Sequence, residues 1–199
     1  SDVCSSDLRK NHELELIRPY EAISAGYSQN TARNIRKALD SGVTVKRKID
    51  PDDLIRLFRE NYGRKESKLA YRDYLTITRL ITHSLRNSAG IIMGASDHPD
   101  RLDAAAFFLS DAGRYIFLFS ASDFKTRTNG AMFLLVDTFI REHCNRPVIL
   151  DFEGGSDPGI GRFYKSFGAV ETSYPMVRIN RLPALLDTGL GVFRRFRGK

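Results

Sequence analysis

The chain has 199 residues, 42 % apolar and 28 % charged, with 31 lysines and arginines against 24 aspartates and glutamates for a net charge of +7. Such a chain is globular, commonly one domain, and large enough to fold without disulfides or a structural metal. No run approaches the ~20 apolar residues of a membrane span, no secretory leader pattern opens the sequence, and two cysteines, Cys4 and Cys144, cannot build a disulfide framework. The expectation is a cytoplasmic domain whose basic surplus suits a phosphorylated ligand, a nucleic acid or an anionic surface.

Residues 1–10 carry no usable period and read as a disordered or non-native end. Residues 11–42 read as a linker helix region. Within it, Ser28 is placed to cap a helix over 29–40, and Gly42 to stop it in the left-handed conformation. The main domain is expected over 43–182. It opens with a half-exposed strand over 43–49, followed by a helix for which Asp50 is the cap and Pro51 the first residue. A longer helix over 69–86 places Tyr71, Tyr74, Leu75, Thr78, Thr82 and Leu85 at helical spacing. Three short apolar runs, 89–95, 103–109 and 114–120, then form an antiparallel meander with a tight hairpin at Asp111-Ala112-Gly113. The unbroken apolar stretch 116–119 predicts a strand buried on both faces. An apolar helix over 130–144, a strand over 148–152, a helix capped by Asp157-Pro158 and stopped at Gly168, and a last strand over 175–179 complete the pattern. A basic tail, 183–199, carries Arg194, Arg195, Arg197 and Lys199. The order of elements gives an α+β fold with a mostly antiparallel central sheet and helices on both faces.

Two strand-to-helix junctions hold the chemistry-bearing residues. At the first, Lys125, Arg127, Thr128, Asn129 and Gly130 precede the apolar helix. Its unpaired N–H groups and positive dipole end suit a phosphate, although capping plus surface charge accounts for the same residues. At the second, Glu153-Gly154-Gly155-Ser156 follows a strand and leads into a helix bearing Tyr164. A phenol there can donate a proton, or can simply pack beside Phe163 and Phe167. Asp151 and Glu153, at alternating positions, are expected on one face as candidate proton acceptors, and Asp103 and Asp123 are further strand-end acids. None of His12, His83, His98 and His143 stands at metal-ligand spacing, so no metal is expected, and all four read as structural or exposed. Cys144 reads as a buried inert thiol.

From about residue 43 to 179, this order of elements resembles the GNAT acyltransferases, in which acetyl-CoA enters a V-shaped gap between two splayed parallel strands. Arg127-Thr128-Asn129-Gly130-Ala131 is similar to the family's Gln/Arg-x-x-Gly-x-Gly/Ala motif, whose backbone N–H groups hold the CoA pyrophosphate. Met132 departs from it, standing where Gly or Ala is usual. Phe163-Tyr164-Lys165-Ser166-Phe167-Gly168 matches the family's Tyr four residues before a Gly. The resemblance implies an N-acyltransferase using acetyl-CoA or another acyl-CoA on a small-molecule or peptide amine. Tyr164 would protonate the thiolate, and Glu153, Asp151 or an ordered water would accept the amine proton. Phe119, Ser120, Ala121 and Ser122 would line the thioester, and Arg127, Thr128, Asn129, Gly130 and Ala131 the pyrophosphate.

A narrower resemblance links 27–38 and Leu150-Asp151-Phe152-Glu153-Gly154-Gly155 with Arg162-Phe163-Tyr164-Lys165 to the C-terminal GNAT-like half of Fem-type proteins. It implies a missing first half of the same protein. It also implies an alternative, an aminoacyl-tRNA-dependent transferase acting on a cell-wall precursor; a catalytically inactive GNAT-like binding domain is a further alternative.

Overall fold

A computed structural model describes residues 3–63 and 69–180 of the chain. Its elements are β1 (Val3–Glu15), α1 (Tyr20–Ser24), α2 (Gln29–Asp40), β2 (Thr44–Lys46), α3 (Pro51–Phe58), a π-helical turn (Arg59–Gly63) and α4 (Tyr71–Arg86). These are followed by β3 (Gly90–Ser96), β4 (Ala104–Asp111), β5 (Arg114–Ser122), a 3-10 turn (Arg127–Asn129), α5 (Ala131–His143), β6 (Ile149–Asp151), α6 (Pro158–Lys165) and β7 (Val170–Asn180). The strands form a seven-stranded sheet in the order β2-β3-β4-β5-β6-β1-β7. Pairing is antiparallel for β2–β3, β3–β4, β4–β5 and β1–β6, and parallel for β5–β6. Asn11–Thr172 make one compact unit, whereas Ser1–Lys10 and Ser173–Lys199 belong to another. The basic tail over 183–199 lies outside the described residues.

Local chemistry explains most boundaries. The Ser28 Oγ accepts the Thr31 N–H at 3.1 Å and starts α2 where a cap was expected. The Asp50 carboxylate does the same for α3 through the Asp52 N–H at 2.9 Å, with Pro51 at the first helical position. Asp111 pairs with Arg114 across Ala112 (φ +41°) and Gly113 (φ +80°), a two-residue hairpin whose positive φ angles match the twist of its strands.

The apolar run of β4 is resolved by the two-residue period of a strand. Ala104, Ala106 and Phe108 enter one core with α2 and α5, while Ala105 and Phe107 enter a second with α3 and α4. In the first core the Phe108 and Phe139 rings stack at 3.8 Å.

Five expectations need correcting. Residues 3–10 are not without structure: they begin β1. The alternation that marks this strand, His12, Leu14 and Leu16 buried between polar neighbours, is short, and its partner β6 is distant in sequence. Residues 11–42 are part of the main compact unit rather than a linker. The buried face of α4 carries Tyr74, Ile81 and Ser84, while Tyr71 is 68 % exposed; the stripe is rotated because Ser84 packs beside Gly90 and Phe107. Ile116, Leu118 and Phe119 are only half-buried, because most of β5 has a strand on one edge alone. Cys144 is also half-buried, its thiol donating to the Arg141 carbonyl.

α2 and α5 approach so closely at Gly130 (φ +81°) that a Cβ there would collide with the Asn34 carbonyl oxygen. Gly130→Ala combines this clash with a left-handed backbone that alanine resists. The variant should lose roughly 1–3 kcal/mol of stability by chemical denaturation; an unchanged midpoint would show that the two helices can separate at no cost.

Candidate active site

β5 and β6 run side by side for only three residue pairs, Arg114↔Ile149, Tyr115↔Leu150 and Ile116↔Asp151. Beyond them β6 ends, and its chain stays on β1, with which β6 is already paired on its other edge: the Phe152 N–H donates to the His12 carbonyl at 2.9 Å. β5 continues to Ser122 and carries a register shift opposite Phe107/Phe108 that leaves Leu118 unpaired. Such a bulge bends and twists its strand. The two strands therefore part, and the far edge of β5 presents backbone groups that no neighbouring strand takes up among the described residues.

A cavity of about 650 Å³ opens along that edge. β5 supplies Phe117, Ser120, Ala121 and Ser122; the loop and first turn of α5 supply Arg127, Thr128, Met132 and Phe133; α6 supplies Gly159, Ile160, Phe163 and Tyr164; Phe58 and Tyr62 form a further wall. Among the lining residues Arg127 is the one with a full charge. Another cavity, about 690 Å³, lies between α3 and α4 and is lined by Ile55, Arg59, Tyr71 and Tyr74 among others, with no residue from β5, α5 or α6.

Of the sequence-predicted residues, Ser120, Ala121, Ser122, Arg127, Thr128 and Tyr164 meet in this cavity. Phe119 does not line it; its ring packs on Phe58 at 4.7 Å. Asn129, Gly130 and Ala131 stand behind the loop and shape it. The Asn129 side chain accepts the Ala131 N–H at 3.0 Å, and its amide donates to Asp103 at 2.9 Å. The next two N–H groups of α5, on Met132 and Phe133, have no acceptor within the helix. Arg127 is exposed, with its guanidinium 5.3 Å from the centre of the Phe124 ring.

Asp103 is the fully buried hub beneath this loop. It accepts from the Asp97 N–H at 3.0 Å, from Arg101 at 3.1 Å and from Asn129, while its own carbonyl accepts the Asp123 N–H at 2.8 Å. Burial alone would raise the Asp103 carboxyl, but these hydrogen bonds and the Arg101 charge outweigh it and hold the group below the usual carboxylate range. As a strand-end acid it was a candidate proton acceptor; its role is to tie the loop to the start of β4.

The two acids of the second junction do not share a strand face. β6 ends at Asp151, and Glu153 has φ +46°, so the strand alternation stops between them. Asp151 is committed to Arg114 at 2.6 Å and to the Glu153 N–H at 2.8 Å. Glu153 is exposed and acts electrostatically on Tyr164. Tyr164 is 8 % exposed, stacked on Phe152 at 4.7 Å. Burial chiefly, and the Glu153 charge second, push its phenol up to about 12. Phe58 and Tyr62 line the cavity although nothing in their spacing points to it, while Asn11, His12 and Glu153 are not among its lining residues, and Asn11 and His12 bond instead to Gly154 in the turn after β6.

A family model for the acetyltransferase (GNAT) domain matches residues 25–166. The chain belongs to that family. No curated protein sequence matches it. Among solved structures it resembles FemX, with a TM-score of 0.64, 12 % identity, and coverage of 82 % of this chain and 59 % of that one. It also resembles a conserved protein of unknown function from Bacteroides thetaiotaomicron VPI-5482 (TM-score 0.65, 10 % identity, 90 % and 62 % covered). A third is L-PGS from Bacillus licheniformis (TM-score 0.59, 12 % identity, 96 % and 66 % covered). The chain spans less than two thirds of the length of each of these structures. Among the described residues no group of acids, histidines and cysteines is arranged to hold a metal ion, and no helix is long and apolar enough to cross a membrane.

The raised Tyr164 pKa carries a pH signature. The unfolded chain ionises its tyrosines near pH 10, while folded Tyr164 stays neutral to about 12. The stabilisation is complete below pH 10 and is lost as pH rises towards 12. Across that window the wild type should lose roughly 2–3 kcal/mol relative to Tyr164→Phe in denaturant titrations. Parallel pH profiles for the two proteins would contradict the assignment.

Proposed function

We propose that this chain is an N-acyltransferase that moves an acyl group from a CoA thioester to an amine. The observation that carries this reading is the parting of β5 from β6 beside a cavity that joins the start of α5 to Tyr164. Arg127, Thr128 and the unpaired N–H groups of the first turn of α5 suit a pyrophosphate. The open edge of β5 at Phe117–Ser122 suits the amides of a pantetheine arm and offers a backbone N–H to the oxyanion that develops on the thioester carbonyl. Met132 fits less well than the Gly or Ala usual there, so its side chain must lie along the arm rather than across it.

The reaction balances on three groups. The amine nitrogen forms a C–N bond to the thioester carbonyl carbon, its proton passes to Glu153 directly or through water, and the C–S bond breaks. The departing thiolate takes the phenolic proton of Tyr164, which an ordinary tyrosine already keeps over the physiological range. Holding donor and amine together supplies much of the barrier reduction, roughly 7–11 kcal/mol at best.

A second reading, an aminoacyl ester on tRNA as donor, is favoured by the net charge of +7. It predicts binding that weakens steeply with salt.

The test uses the chain with acyl-CoA esters. At a hundred-fold excess of ligand over Kd, acetyl-CoA or a longer ester should stabilise the fold by about 2.7 kcal/mol. Arg127→Ala should lower that affinity roughly ten-fold or more by calorimetry. Absence of any stabilisation by CoA esters would sink the leading reading. Tyr164→Phe should lower kcat by about a hundred-fold or more while leaving acyl-CoA affinity in place; equal turnover would return Tyr164 to a packing role.

A further inference from the structure

We infer that Asn11 and His12, neighbours on β1, are positioning residues that clamp the turn carrying Glu153; the inference rests on the proposed role of Glu153 as proton acceptor. Three consecutive residues of this turn, Glu153 (φ +46°), Gly154 (φ +91°) and Gly155 (φ +106°), are left-handed. For Glu153, which has a Cβ, that conformation is costly and persists only where the surroundings hold it.

The surroundings do so from β1. The Asn11 side chain accepts the Gly154 N–H at 3.1 Å, and His12 Nδ1 donates to the Gly154 carbonyl at 3.0 Å. Together with the Glu153 N–H held by Asp151, the clamp fixes both peptide groups that flank the Gly154 Cα.

Packing shows that the imidazole is fitted to this place. His12 is 1 % exposed. A Cβ on Gly155 would collide with its ring, and one on Gly161 would touch it at 3.4 Å while crowding the Gly155 carbonyl at 2.9 Å. The other ring nitrogen, Nε2, is buried with no hydrogen-bond partner, and a Glu171 carboxylate oxygen stands 3.8 Å from it. A leucine would fill the slot but could not donate to the Gly154 carbonyl. What histidine adds is the bond to the Gly154 carbonyl. That bond orients the residue whose charge acts on Tyr164, and Tyr164 itself lies with its ring centre 5.8 Å from the imidazole.

Two measurements on the full chain test the clamp. In Asn11→Ala the Gly154 amide should exchange with solvent about ten-fold faster, with core amides of α5 unchanged. In steady-state assays His12→Leu should lower kcat about ten-fold with the acyl-CoA KM unchanged, and His12→Asn, which keeps a donor near the Nδ1 position, should restore most of the loss. In a Glu153→Gln background His12→Leu should cost nothing further, since both act through one proton transfer. An equal loss in the two backgrounds, or unaltered Gly154 exchange in Asn11→Ala, overturns the clamp. Wild-type turnover in Glu153→Gln would instead remove the proton-acceptor reading, and amide exchange, which needs no turnover, would still decide whether β1 holds the turn.

Discussion

The rest of the structure depends on where β5 and β6 stop pairing. Parallel strands gain by continuing side by side, so a fold that separates them after three pairs has to satisfy their backbone groups elsewhere. The chain after β6 keeps to β1, where the Phe152 N–H continues the β1–β6 ladder on the His12 carbonyl. At the closed end of the gap Arg114 bridges Asp151 at 2.6 Å and Glu13 at 2.8 Å, linking β5, β6 and β1 in one charged knot. At the open end the bulge at Leu118 bends β5 away. Closure by ions and opening by a bulge lie within a few residues of each other, so the gap is fixed by local chemistry and not by the cavity's contents.

The helices serve that gap from opposite directions. The N-terminus of α5 is set by Asp103, a buried charge that is tolerable because Arg101, Asn129 and the Asp97 N–H satisfy its oxygens. Were the loop free, its donors would turn to one another or to solvent. Held as it is, Arg127 and Thr128 reach the cavity while Asn129 faces inward. On the other side α6 is started by the Asp157 carboxylate, which accepts the N–H groups of Gly159 and Ile160, and is anchored through Tyr164, Phe152 and Phe167. The same aromatic packing that stabilises α6 brings the phenol to the cavity.

Sequence reasoning was strong where structure is local and weak where it is not. Caps at Ser28, Asp50 and Asp157, the hairpin at Ala112-Gly113 and the apolar α5 depend on residues within a few positions of each other, and their periods and turn chemistry are written in the chain. β1 is not legible in the chain because its pairing with β6 spans more than a hundred residues and its largely polar and charged composition hides a short alternation. The site divides in the same way. Ser120, Ala121, Ser122, Arg127, Thr128 and Tyr164 lie near ends of elements that a pattern can locate. Phe58 and Tyr62 come from a distant helix and the turn after it, and Asp103 acts through Asn129, which only the folded contacts reveal. Expecting Asp151 and Glu153 to share a face assumed an unbroken strand, whereas the positive φ of Glu153 ends it.

On the proposed reaction, the field between Glu153 and Tyr164 has a direction in time. While Glu153 is ionised, its charge adds to the larger effect of burial and keeps the phenol proton in place. When the amine gives up its proton to Glu153, that charge is neutralised and its contribution disappears. Tyr164 then becomes a better acid at the stage when the sulfur leaves and needs a proton. Burial alone would hold the phenol neutral but could not couple the two transfers; a charge at the turn beyond β6 can, provided the turn does not move. A proton acceptor in a strained, clamped turn is therefore a more consistent design than one on a mobile loop, because the coupling falls with distance.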